Sequence, residues 1–219
     1  MHDRADHMER LRETIRTGMI DETVAGVKDL IAMGYGAEAI MNQAMIPAMD
    51  EVGELFQKGE YYLPEMLVAG EAMKQGLANI RPLLVRDGSS FQGRVVLGTV
   101  LGDLHDIGKN IVAMAIEGAG FEVIDLGHDI PPEGFVQAIL EHKPIAVGLS
   151  TLLTTTMGAM SDTIQAVARA GLREKVRIMI GGAAVQQDFA SRIGADFYGP
   201  DSVSAMRYVR ALLKEALRG

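Results

Sequence analysis

Arg94-Val95-Val96-Leu97-Gly98-Thr99 runs directly into Val100-Leu101-Gly102-Asp103-Leu104-His105-Asp106-Ile107-Gly108-Lys109-Asn110. The first segment is a short run rich in β-branched residues and reads as a strand. The second is a glycine-bounded loop that opens a helix, so the two together make one β–α unit. β-Branched runs at Glu122–Asp125, Ile145–Ser150, Arg177–Ile180 and Asp196–Tyr198 repeat the pattern downstream. Helices are expected between and after them, at Gly108–Ala119, Pro132–Glu141, Thr156–Ala170, Ala184–Ile193 and Ser202–Leu217. Right-handed crossovers leave such a chain little choice but a parallel sheet with helices on both faces. Ligands of these sheets settle at the carboxyl ends of strands where the connections diverge, which points to the loops after Thr99 and Leu149.

Upstream the period changes. Met8, Leu11 and Ile15, then Val24, Val27 and Ile31, then Ile40, Ala44, Met45 and Val52, then Met66, Leu67, Met73, Leu77, Ile80 and Leu84 recur at helical spacing. Four amphipathic helices are expected, with Asp21 capping the second, Gly34 and Gly36 ending it, Pro47 kinking the third and Pro64 in the first turn of the fourth. Arg86-Asp87-Gly88-Ser89-Ser90 reads as the linker. The predicted fold class is α plus α/β: a four-helix bundle over residues 1–88, then a Rossmann-like (flavodoxin-like) five-stranded domain over 89–219.

Composition excludes whole classes of function. With no cysteine there is no disulfide, zinc–thiolate site, iron–sulfur cluster or thiol nucleophile, so any metal must rest on His, Asp or Glu. A net charge of -8 without a dense basic run argues against nucleic acid. No apolar run approaches the roughly 20 residues of a membrane helix, and no signal-peptide pattern opens the chain, so a cytoplasmic protein is expected. The 14 methionines suit either an adaptable surface or flexible core filling.

The densest chemistry lies in Gly102–Asn110. An imidazole can ligate a transition metal, and a carboxylate two residues away can hold its other ring N–H, the role that suits Asp103 beside His105. A blander alternative makes Asp103 a helix cap and His105 a loop residue. The glycines do not form a dinucleotide fingerprint, and Leu149-Ser150 stands where a phosphate receiver would carry aspartate. Gly-Asp-x-His also opens two-metal hydrolase sites, which need more ligands than His2, His7, His128 and His142 readily provide. Gly127-His128-Asp129, after the second strand, places another imidazole near the same end of the sheet.

Asp103-x-His105-x-x-Gly108, Ser150-x-Leu152 and Gly181-Gly182 lie in that order on successive strand ends. In combination they resemble the cobalamin-binding signature of corrinoid methyltransferase proteins. Val52-Gly53-Glu54-Leu55-Phe56-Gln57-Lys58-Gly59-Glu60-Tyr61-Tyr62-Leu63-Pro64 is similar to the cap module that precedes this domain in cobalamin-dependent methionine synthases. The length leaves no room for that enzyme's other modules, so the chain resembles the small corrinoid proteins of methylamine, methanol, methoxy-aromatic or glycine-betaine demethylation.

The resemblance implies a cobalamin or related corrinoid bound base-off, with His105 replacing the cofactor's own base as the cobalt ligand. It implies a relay of His105, Asp103 and Thr156, where Thr156 stands in place of the family's serine, and that relay is expected to couple cobalt oxidation state to proton uptake. Asp106, Ile107, Gly108, Ser150, Leu152 and Thr154 are implied as cofactor contacts. Gly181, Gly182 and Ala183 would leave a narrow slot for the displaced tail, although a glycine pair also suits an ordinary β–α turn. Phe56, Leu63 and Met66 are implied as an apolar lid over reactive cobalt, or else as bundle core. Function follows by the same resemblance: a methyl carrier, not catalytic alone, serving a substrate-specific methyltransferase, a methyl-acceptor methyltransferase and a reductive activator. A cobalamin-binding sensor or regulatory module shares the signature and is the alternative.

Overall fold

The fold is that of a computed structural model describing residues 2–86 and 91–216. Packing divides it into a helical unit, formed by the described residues up to Phe91 with Glu117–Gly120, and a sheet unit formed by the rest.

In the helical unit, α1 (His2–Arg16) and α2 (Ile20–Ala32) precede α3 (Ala37–Ile40), which continues through a π-helical turn, Met41–Met45, into α4 (Ile46–Lys58). The long α5 (Leu63–Arg86) completes it, with Pro64 in its first turn as expected. Leu11, Ile15, Val27, Ile40, Val52, Leu77 and Ile80 are buried at the helical spacing seen in the sequence, whereas in α2 the buried face is Thr23, Val27 and Leu30, with Val24 and Ile31 only partly buried. Met8, Met41, Met45, Met66 and Met73 are buried too, so in this half the thioethers mainly fill core. Gly76 permits the close packing of α2 on α5, since a Cβ there would lie 3.2 Å from Thr23 and 3.5 Å from Val27.

Several punctuation marks act differently from expectation. Met19 holds the cap position of α2 and Asp21 falls in its first turn, where a carboxylate still favours the positive end of the helix dipole. Gly34 ends α2 with φ +85°, whereas Gly36 opens α3. Pro47 does not interrupt its helix: the adjustment is the π-helical turn just before it. Proline has no N–H for the carbonyl of Gln43, four residues back, and Arg12 supplies donors instead, Nε at 3.0 Å and Nη2 at 2.6 Å.

The sheet unit contains β1 (Arg94–Thr99), α6 (Ile107–Gly118), β2 (Glu122–Asp125), α7 (Pro132–His142), β3 (Ala146–Ser150), α8 (Met157–Arg169), β4 (Arg177–Gly181), α9 (Gln187–Ile193), β5 (Phe197–Gly199) and α10 (Ser202–Ala216). All strand pairs are parallel, in the order β2-β1-β3-β4-β5, which is the predicted flavodoxin-like arrangement. Every residue of β1 after Arg94 is buried. Val96, Val147, Leu149, Ile178 and Ile180 form the core with Phe135 and Ile139 of α7 and Ile164 and Val167 of α8. α9 shifts most, because Val185 N bonds Gly182 O in a turn and delays it to Gln187, while β3 and β5 each begin one residue late. Of the expected linker, Arg86 closes α5 and residues 87–90 lie outside the described ones, as does Leu217 at the expected end of α10. Among the described residues, no helix is long and apolar enough to cross a membrane.

Candidate functional site

β1 and β3 are neighbours whose outgoing loops diverge, so their carboxyl ends form the switch point of the sheet. Beyond β1 the backbone turns at Gly102, with φ +82°, and delivers Asp103 inward and His105 outward. Asp103 is completely buried, whereas the His105 side chain is 53% exposed. One carboxylate oxygen, Oδ1, accepts from the His105 backbone N–H at 2.9 Å and faces His105 Nδ1 at 2.8 Å. The other, Oδ2, accepts from Thr151 Oγ1 and Leu152 N, both at 2.7 Å, from Thr156 Oγ1 at 3.1 Å and from Leu153 N at 3.2 Å.

These bonds settle the charge state. Burial by itself would push the Asp103 carboxyl up, but the donors from His105, Thr151 and Leu152 outweigh it and hold the group well below the usual carboxylate range. An ionised carboxylate only accepts, so in the neutral ring the proton sits on Nδ1 and Nε2 is the nitrogen with a lone pair that could ligate a metal. Asp103 caps nothing: its side-chain bonds go to His105 and the β3 loop, and α6 begins only at Ile107.

β4 supports this loop from the far side. Thr151 N donates to Gly181 O at 3.2 Å, and Gly182 has φ +121°. A Cβ on Gly182 would lie 1.8 Å from the Thr151 carbonyl oxygen, so only glycine lets the β4 end lie against the residue whose hydroxyl holds Asp103. Around His105 the surface is apolar: Leu101, Leu104, Ile107, Leu152 and Leu153 are 39–70% exposed on the loops after β1 and β3. Such a patch at a strand-end switch point marks a site for a large, partly apolar ligand. Among the described residues, no three His, Asp or Glu side chains gather as a metal cage, which leaves the two-metal hydrolase alternative without a ligand set.

Residues 93–207 match the model of the B12 binding domain, and residues 8–81 match a second model with the same description. The chain belongs to the B12-binding family. It is 40% identical over 197 residues to trimethylamine corrinoid protein 1 of Methanosarcina acetivorans, covering 88% of this chain and 91% of that one. Dimethylamine corrinoid protein 2 of the same organism is 36% identical, with coverage of 97% and 99%. Among solved structures, the methanol:cobalamin methyltransferase complex MtaBC of Methanosarcina barkeri superposes with a TM-score of 0.85 at 30% identity, covering 95% of this chain and 80% of that one. A cobalamin-binding protein of Desulfitobacterium hafniense gives 0.75 at 30% identity, covering 94% and 98%.

The side chains suit a corrinoid: one imidazole with an outward Nε2, set in a patch able to take one face of a flat macrocycle. Asp103, His105 and Thr156, expected to cooperate, do meet. Ser150 ends β3 in register with Thr99 and Gly181, and Asp106, Ile107 and Gly108 lie where α6 begins. Leu152 is exposed beside the Asp103 carboxylate, Thr154 opens a short 3₁₀ turn, and Ala183 follows Gly182 on the surface. In the helical unit Leu63 is 45% exposed, Phe56 half-buried and Met66 buried. His128 is exposed.

Three features escaped sequence reasoning. Thr151 is buried, holds Asp103 more closely than Thr156 does, and lies 2.5 Å from the Thr156 hydroxyl. Lys109, 3% exposed, bonds Asn110 Oδ1 at 2.7 Å and the two Asp125 oxygens at 2.5 and 2.6 Å. Asp129 receives the Gly102 amide. Only Asp129 left a trace in the sequence, as a short polar residue two positions after a glycine, where turns of left-handed backbone form.

Proposed function

We propose that this chain carries a methyl group on the cobalt of a bound corrinoid, from a substrate-specific methyltransferase to a second one serving a thiol or folate acceptor. The observation behind it is an ionised, buried Asp103 fixing the ring of a half-exposed His105 at the switch point of a B12-binding chain. Relatives named trimethylamine and dimethylamine corrinoid proteins favour a methylamine as the ultimate donor, and the methanol:cobalamin methyltransferase complex favours a methyltransferase as partner. A bound corrinoid supplies a cobalt centre that can accept and release a methyl group.

The protein's own residues position that centre. His105 would hold the cobalt through Nε2, while Asp103 orients the ring and keeps the proton on Nδ1. Thr151 and Thr156 hold the Asp103 carboxylate in turn. Gly181, Gly182 and Ala183, with Ser150, would line the slot for the displaced tail. Phe56, Leu63 and Met66 would serve as the apolar lid that excludes water, Met66 from within the core of the helical unit, and residues 1–88 and 89–219 would act as separate domains so that the lid can move. A reductive activator restores the centre after oxidation.

The test is reconstitution. Apoprotein mixed with hydroxocobalamin under reducing conditions and desalted should retain corrinoid and show nitrogen splitting in its cobalt(II) electron paramagnetic resonance spectrum. His105→Ala should lose that splitting. Wild-type protein that retains no corrinoid would overturn the proposal.

A further inference from the structure

The Asp103 side chain is gripped by the β3 loop, but its main chain is held by a different loop, the one after β2. Asp129 Oδ1 accepts the Gly102 N–H at 2.7 Å, and the Asp129 N–H donates to the Asp103 carbonyl at 3.0 Å. One residue thus bonds both sides of the pivot at which the His105 loop turns. Its backbone sits at φ +57°, a left-handed conformation that aspartate tolerates better than most side chains and that persists only where the surroundings impose it.

The same loop is secured along its length. Ile130 N donates to Thr99 O at 3.0 Å, Thr99 N donates to Gly127 O at 3.0 Å, and Val100 bridges Ile130 in parallel. Asp125, at the root of the loop, accepts from Gly127 N at 2.9 Å and from the buried Lys109 ammonium, which stands on α6 four residues after His105. A stretch anchored to α6 at Asp125 and to β1 at Ile130 is a rigid support, and Asp129 is its contact with the ligand loop.

We propose that Asp129 is a positioning residue that sets the placement of His105, acting through the Gly102–Asp103 backbone rather than through the Asp103 carboxylate. This rests on the assignment of His105 as cobalt ligand. Without the clamp, residues 102–105 can pivot about Gly102 while Oδ2 stays fixed to the β3 loop, and the direction of Nε2 is lost.

Two variants separate the clamp from a mere turn. Asp129→Gly keeps the left-handed backbone accessible but removes the acceptor, and Asp129→Asn keeps both. In the full-length apoprotein, hydrogen exchange at the Gly102 and His105 amides should quicken about tenfold in Asp129→Gly, with β1 core amides unchanged. After reconstitution with hydroxocobalamin and reduction, that variant should retain corrinoid while its nitrogen-split cobalt(II) fraction falls severalfold. Asp129→Asn should match wild type in both measurements. Unchanged ligation in Asp129→Gly would overturn the proposal, as would an asparagine variant that behaves like the glycine one. Wild-type protein without nitrogen splitting would instead sink the assignment of His105; exchange at Gly102 would then decide alone whether Asp129 holds the loop.

Discussion

Asp103→Asn preserves the shape of the buried side chain and removes its charge, and six donors make its cost calculable. An amide presents only one oxygen. Whichever way it is turned, its NH₂ group faces donors, either the His105 pair or the hydroxyl and amide set from Thr151 to Thr156. At least one backbone N–H, of His105 or of Leu152, loses its acceptor, and the bonds that remain lose a charged one, each charge-assisted bond having contributed about 1.5–3 kcal/mol. Relief of the carboxylate's desolvation offsets part of this, leaving an expected loss near 3 kcal/mol at pH 7. Asp103 is held below its ordinary value in the folded protein. Its contribution is therefore complete above the unfolded-state value of about 4 and declines as the pH falls from there towards the depressed one. Urea unfolding of the full-length apoprotein should show a wild-type-to-variant gap that is constant from pH 7 to 5 and narrows below pH 4. A gap under about 1 kcal/mol, or one that widens in acid, would refute the reasoning.

Gly182→Ala must move the Thr151 carbonyl by at least about 1 Å or adopt strained backbone, so a loss of roughly 2–4 kcal/mol in apoprotein stability is expected by denaturant unfolding. Thr151→Val should cost about 1.5–3 kcal/mol in the same measurement, and more than Thr156→Val, because Thr151 is fully buried with the shorter bond while water can reach Thr156. Asp125→Ala should destabilise by about 3 kcal/mol, more than Lys109→Met, since it strands a buried ammonium whereas Asp125 is 41% exposed and can hydrate; thermal unfolding of the pair of variants checks the order. His105→Ala removes one of the six donors to Asp103, but water can take the place of the half-exposed ring, so apoprotein stability by urea unfolding should fall by at most about 1.5 kcal/mol, less than in Asp103→Asn.

Local chemistry determined much of this protein. The change from helical period to short β-branched runs alternating with helical segments separates two kinds of architecture, and that alternation already specifies a parallel sheet. Sheet order then places the loop carrying Asp103 and His105 at the switch point, and the Asp-x-His spacing is short enough for the backbone alone to bring the two side chains together. What tertiary structure decided lies across the chain. Thr151 reaches Asp103 over 48 residues, Asp129 reaches Gly102 over 27, and Arg12 reaches the carbonyl of Gln43, to which Pro47 cannot donate. None of these follows any period, because a hydrogen bond between loops depends on how strands stack, not on how residues are spaced. Gly182 shows the same division: its composition suits any turn, and only the carbonyl lying 1.8 Å from its missing Cβ reveals why no other residue serves.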